Sequence, residues 1–206
     1  MEGTVQKSSK KGLDRYSEMI WRGFLENELK DIVGKKVVDM GCGDGRYTGF
    51  LSNYNEYYGV DINPKAAMAT IVGNAENVPL PDGMIDEVIA IGILDYSKPD
   101  ATIKEANRLL KTGGKLRLMV PNTMCPYHLV RVLLDFRGYK KTYVWGELVG
   151  LMWDNGFKIE AHHEDGFCFY VPSKLLQELL IPIYLLLNRC FGQMLGNNIY
   201  IRAIKQ

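Results

Sequence analysis

Asp39, Gly41, Cys42, Gly43 and Gly45 follow the two-valine run Val37–Val38, and Asp61 closes the next strand-like run, EYYGVD. Carboxylates accept hydrogen bonds from hydroxyl and ammonium groups. Alternate glycines let a backbone turn tightly and come close to a ligand. If a helix opens near Gly45, its unpaired N–H groups aim at the same place. Types and spacing therefore read as a strand, a glycine turn and a helix forming a cradle for a ligand with both charged and hydroxyl groups.

The elements that must position this cradle follow from hydrophobic periodicity. Apolar residues from Leu13 to Val33 recur at helical spacing and stop at Gly34, which predicts one or two leading helices. Strands are expected at Val37–Asp39, Glu56–Asp61, Ile71–Val72, Ile85–Leu94 and Leu116–Val120. Between them, helices are expected over Tyr47–Ser52, briefly over Ala66–Ala69, and over Pro99–Leu110. Further on, Pro126–Phe136, Val144–Asn155 and the apolar region Ser173–Phe191 read as helical, Phe157–His162 and Asn198–Ile204 as strands. Alternating strands and helices predict a doubly wound, mainly parallel Rossmann-like α/β sheet with helices on both faces and an antiparallel last strand.

Composition narrows the function. The chain has 206 residues, 47% of them hydrophobic, which suffices for one full core. A formal net charge of +1 argues against a nucleic-acid partner, which usually draws a basic excess. Cys42, Cys125, Cys168 and Cys190 are scattered without ligand spacing, so neither a disulfide framework nor a zinc site is expected. The polar, lysine-rich first residues lack the apolar core of a signal peptide, and a cytoplasmic setting is expected. Leu175–Leu187 is strongly apolar but short of the ~20 residues of a spanning helix, so no membrane span is expected.

Four segments in order resemble the class I S-adenosylmethionine-dependent methyltransferases, in particular the type 11 methyltransferase domain. DMGCGDG (Asp39–Gly45) is similar to the family's D-x-G-x-G-x-G loop, YYGVDIN carries the acidic residue after the second strand, and GNAENVPLPDGMIDEVIA and EANRLLKTGGKLRLMVPN resemble its later strands. The resemblance covers about Lys35–Asn122. It implies S-adenosylmethionine as cofactor, with the methionine end at Asp39, Gly41, Cys42, Gly43 and Gly45. The ribose then falls to Asp61 with Ile62 beside it, the adenine to Asn74 and Ala75, and Ile91 opens onto the cofactor from the fourth strand. It also implies residues 1–34 as a tail and leading helices and 35–206 as the methyltransferase domain, with variable acceptor-side regions at about 122–145 and 170–195. Asn74 stands where the family commonly has an acid, and the helix after Asp61 is unusually short. A nicotinamide dehydrogenase would share the acid after the second strand, but its glycines run G-x-G-x-x-G rather than G-x-G-x-G.

For the acceptor, the residues exclude more than they assign. IGILDY (Ile91–Tyr96) is not the Asn/Asp-Pro-Pro-aromatic signature of amino-group methyltransferases, and Cys125 precedes its proline, unlike a cytosine-methylating nucleophile. A small-molecule methyl acceptor is the expectation, with no nucleic acid. A non-catalytic cofactor-binding or regulatory protein and, behind it, a nucleic-acid methyltransferase are the alternatives. Tyr96, Tyr127 and His128 are candidate catalytic residues near the pocket mouth, His128 having the pKa of a general base, although a helix-start surface histidine is the plainer reading. Tyr16 could close over the cofactor or simply pack its helix. Arg137–Trp145 mixes cations and aromatics, and reads as a solvated loop before a nucleic-acid contact. No metal is expected, because His162 and His163 should face opposite sides of a strand, and Asp154–Asn155 should finish a helix. Leu175–Leu187 is a core segment or homodimer contact before it is a lid over a hydrophobic acceptor.

Overall fold

The computed structural model describes residues 13–126, 141–165 and 196–206, with Pro182, Ile183, Leu186 and Cys190, and only the backbone of residues 13–20 and 165. Its strands are β1 (Lys36–Met40), β2 (Glu56–Asp61), β3 (Ile71–Val72), β4 (Ile85–Ile91), β5 (Leu110–Pro121), β6 (Phe157–Asp165) and β7 (Asn198–Lys205). The helices are α1 (Leu13–Leu29), α2 (Pro99–Leu109) and α3 (Trp145–Asp154), with a 3-10 turn at Gly49–Asn53. One seven-stranded sheet runs β3-β2-β1-β4-β5-β7-β6, and β7 lies antiparallel to both its neighbours. The expected mainly parallel α/β sheet with an antiparallel last strand is the fold observed.

Strand alternation divides the sheet into two faces. Val38, Met40, Val88, Ala90, Leu116 and Leu118 pack with Ile103, Ala106 and Leu109 of α2 and Leu148 and Met152 of α3. Those helical residues recur every three or four positions, the spacing of one helix face. Pro99 opens α2 with Asp100 in its first turn, a favourable start for a helix. Val37, Ile89, Met119 and Tyr200 point the other way, onto Trp21, Leu25 and Leu29 of α1.

The α1 face also carries a buried charge network. The Arg117 Nε donates to Glu87 Oε2 at 3.0 Å, and Lys35 Nζ reaches Glu87 Oε1 at 2.7 Å. Arg117 also donates to the Glu28 carbonyl at 2.6 Å, while Arg202 lies 3.4 Å from the Glu28 carboxylate. Two strands thus hold the last turn of α1. Glu87 is fully buried, and these cations satisfy the hydrogen bonds that its side chain loses to water.

Beyond three-residue shifts at the ends of β4, which stops at Ile91 rather than Leu94, and β6, which runs to Asp165 rather than His162, three expectations differ from the structure. No α-helix begins near Gly45: Asp44–Thr48 make turns and a five-residue 3-10 segment follows. Gly45 holds φ 70°, which a helix interior excludes, and the Ser52 hydroxyl donates to the Gly49 carbonyl inside the segment. The short helix at Ala66–Ala69 is likewise two successive turns, Asn63–Ala66 and Ala66–Ala69. Finally, β5 starts at Leu110 rather than Leu116, absorbing the Gly113–Gly114 turn as an irregularity in its pairing with β4. The Pro126–Phe136 helix lies outside the described residues apart from Pro126. Of Ser173–Phe191, Pro182, Ile183, Leu186 and Cys190 are helical and exposed.

Candidate cofactor site

β1 and β2 run parallel with Asp39 paired to Gly59 and Met40 to Val60, so Asp39 and Asp61 both arrive at the carboxyl end of the sheet. Between them the loop turns through Gly41, Gly43 and Gly45 at φ 76°, 51° and 70°, the left-handed region that favours glycine. At Gly41 a β-carbon would also stand 2.8 Å from Ile93 Cδ1. The alternation of glycines is thus a backbone requirement, and beside it lies a cleft of about 200 Å³ open to solvent. Asp39, Gly41, Cys42, Gly43 and Ile91 line it together with Asp44, Arg46, Tyr47 and Thr48, whereas Gly45, Asp61, Ile62, Asn74 and Ala75 stand outside its lining.

Asp39 is 2% exposed and anchored by two hydroxyls on one oxygen. Thr48 donates to Oδ2 at 2.5 Å and Tyr57 to the same atom at 2.6 Å. Burial raises its pKa to about 6; the two hydroxyls oppose that rise, and the nearby Asp61 adds to it. Burial likewise pushes the Cys42 thiol up to about 12, so this cysteine is a packed, protonated wall rather than a nucleophile.

Asp61 is held from two sides: Gly43 N–H donates to Oδ2 at 2.9 Å and Asn63 N–H to Oδ1 at 2.8 Å. Each carboxylate oxygen keeps further acceptor capacity. Next to it Ile62 is 76% exposed, an apolar surface beside a hydroxyl-binding acid. Asn74 and Ala75 are placed less directly. The Asn74 side chain accepts from Glu76 N–H at 2.9 Å in a local turn, and Ala75 is buried against the core.

The other candidates separate. Tyr96 is half-exposed after β4, whereas Tyr127 and His128 lie outside the described residues, as does the Tyr16 side chain. His162 stacks on Trp145 at 4.2 Å and His163 on Phe24 at 4.6 Å, on opposite faces of β6, as alternation requires. Asp154 ends α3, and Gly156 follows at φ 75°. Sequence reasoning missed Thr48 and Tyr57. The strand alternation of β2, which sets Tyr57, Gly59 and Asp61 on one face, carried the signal for the second.

A parallel sheet with an antiparallel β7, and paired acids flanking a glycine loop at the ends of its first two strands, defines the class I methyltransferase fold. Residues 38–118 match the family model described as a methyltransferase domain. Over these residues the chain carries a class I S-adenosylmethionine-dependent methyltransferase domain. It is 32% identical over 136 residues to the ubiquinone/menaquinone biosynthesis C-methyltransferase UbiE of Shewanella sp. (strain ANA-3), a match covering 56% of this chain and 54% of that protein. An uncharacterized protein of Methanocaldococcus jannaschii is 30% identical over 118 residues, 53% of this chain and 45% of its own. The chain thus spans about half the length of the curated relatives it matches. Among solved structures, a SAM-dependent methyltransferase of Thermotoga maritima superposes with a TM-score of 0.69 at 21% identity, covering 94% and 91% of the two chains. The geranyl diphosphate C-methyltransferase of Streptomyces coelicolor A3(2) superposes with 0.60 at 16% identity, covering 92% and 79%. No helix among the described residues is long and apolar enough to cross a membrane.

Proposed function

We propose that the chain transfers the methyl group of S-adenosylmethionine to a small, apolar acceptor. The carrying observation is the pair of carboxylates at the glycine loop, Asp39 buried in the wall of the cleft and Asp61 partly buried and bonded to the Gly43 amide. Bound there, the sulfonium group supplies an activated methyl carbon, which leaves the protein to bind, align and exclude water. Asp39 faces the ammonium of the methionine end. Asp61, pinned by the Gly43 and Asn63 amides, presents its remaining lone pairs to the ribose hydroxyls. Ile62 offers an apolar surface to the adenine, and Asn74 and Ala75 stand further along the same edge.

Apolar side chains at the carboxyl end of the sheet support the acceptor class. Tyr96 after β4 and Met124 after β5 are 50% and 59% exposed. Two of the compared proteins bear names, ubiquinone/menaquinone biosynthesis and geranyl diphosphate C-methyltransferase, that lean the same way.

Calorimetric titration with S-adenosylmethionine and, in parallel, NADH tests the cofactor reading. The wild type should bind the first and not the second, and Asp61→Ala should weaken binding about 10- to 100-fold, the worth of one or two charge-assisted hydrogen bonds. A wild-type preference for NADH overturns it. Release of S-adenosylhomocysteine across a panel of quinols and prenyl diphosphates, set against polar amines, then tests the acceptor class.

Asp39 gives this binding a pH signature. Its raised pKa means the folded carboxyl takes up a proton as pH falls through about 6. Cofactor affinity should therefore rise with pH across that value, in a range where an α-ammonium stays charged. Tyr57→Phe removes one hydroxyl that favours the ionised form, so the midpoint should move upward by pH titration in the calorimeter. For stability the sign is opposite: folding binds the proton more tightly than the unfolded chain, so this group's contribution declines as pH rises from about 4 to 6. A Tyr57→Phe midpoint unchanged from wild type would exclude the hydroxyl's role.

A further inference from the structure

The zwitterionic end of the cofactor needs a donor for its carboxylate as well as an acceptor for its ammonium. Most of the obvious donors, the amides of the glycine loop, are engaged inside the protein. Gly41 and Cys42 N–H both donate to the Val60 carbonyl at 2.8 and 3.2 Å, and Gly45 N–H donates to the Cys42 carbonyl at 2.9 Å. Gly43 N–H is held by Asp61 and Arg46 N–H by the Asp44 side chain at 3.2 Å. The Thr48 hydroxyl is committed to Asp39. No α-helix opens behind the loop to offer a first turn of amides.

Of the described residues lining the cleft, Arg46 is the cationic one. We propose that the Arg46 guanidinium binds the carboxylate of the cofactor's methionine end, across the cleft from Asp39. Its side chain is 32% exposed, and among its contacts the pair with Asp44 spans 3.6 Å to a largely exposed carboxylate. Such a pair is weak and exchangeable. A guanidinium suits the role, since its planar fork matches a carboxylate in two parallel hydrogen bonds. With Asp39 facing the ammonium and Arg46 the carboxylate, the two ends of the zwitterion are read separately. The glycine loop then shapes the cleft and orients Asp61 without itself holding the anion.

This rests on the cofactor reading above, and a ligand pair separates the two. Calorimetry would compare S-adenosylmethionine with decarboxylated S-adenosylmethionine, which keeps ribose, adenine, sulfonium and ammonium, on wild type, Arg46→Met, Arg46→Lys and Arg22→Met. The wild type should bind the decarboxylated ligand about 10- to 100-fold more weakly. Arg46→Met should lose the same factor toward S-adenosylmethionine and lose nothing further toward the decarboxylated ligand. Arg46→Lys should fall between. Arg22→Met should match wild type, because Arg22 pairs with Glu26 on α1 and reaches only the backbone carbonyl of Arg46, at 3.5 Å. Equal losses for both ligands in Arg46→Met, or no loss for either, would overturn the assignment while leaving the cofactor reading intact. A wild type that binds neither ligand would overturn both.

Discussion

Arg117→Met is expected to destabilise the fold by about 3 kcal/mol, lowering the thermal midpoint by roughly 6–12 °C. Arg117 is 6% exposed and its partner Glu87 is fully buried, so removing the guanidinium strands a carboxylate that water cannot reach. Lys35 at 2.7 Å remains beside it, which places the loss at the low end of the ~3–5 kcal/mol seen when buried pairs are broken. The same substitution removes the donor on the Glu28 carbonyl, loosening the end of α1. The diagnostic variant is the double one, Arg117→Met with Glu87→Leu. It removes both buried charges, lets Lys35 rejoin solvent, and should recover much of the loss. A single variant as stable as wild type in denaturant titration, or a double variant no better than the single, would show that the network carries little of the α1 attachment.

Gly59→Ala is the second large effect, with a stability loss of about 2–3 kcal/mol and a weakened cofactor site in the same protein. A β-carbon at Gly59 would overlap the Met68 carbonyl, which is backbone and has no rotamer to yield. Met68 in turn lies where a β-carbon on Gly45 would stand, and its N–H donates to the Gly43 carbonyl at 3.2 Å. Displacing residue 68 therefore pulls on the loop that orients Asp61. Gly73→Ala is the control: its β-carbon would find ordinary contacts at 3.8 and 3.9 Å, with no left-handed φ. If Gly59→Ala binds S-adenosylmethionine as tightly as wild type, Met68 does not couple the 63–70 turns to the loop.

How far the sequence led is best judged at that loop. Asp39, the three glycines, Asp61 and the mainly parallel sheet were legible, because a buried valine run, positive-φ glycines and a strand-end acid each leave a local mark. The missing helix after Gly45 was not. Helical spacing in Tyr47–Ser52 is genuine, but it is outweighed by Gly45 at φ 70° and by the Thr48 side chain drawn into Asp39. The commitment of the loop amides was equally hidden, since it depends on where Val60 and Asp61 land across the parallel ladder. Arg46 gained its significance from that distant accounting and from nothing in its immediate neighbours. β5 began six residues early for a similar reason: the Gly113–Gly114 pair reads as a stop, yet the ladder to Ile85 and Glu87 carries the strand through it.

The strand order has a consequence for how the chain is made. β7 is inserted between β5 and β6, and Tyr200 and Arg202 of β7 contact α1. A chain emerging amino end first therefore exposes β6 with its ladder partner still unsynthesised, and α1 is held at one of its two anchoring strands by residues made after every other strand of the sheet. Closure of this sheet and locking of α1 are then one event, completed when Asn198–Lys205 slides into the remaining slot.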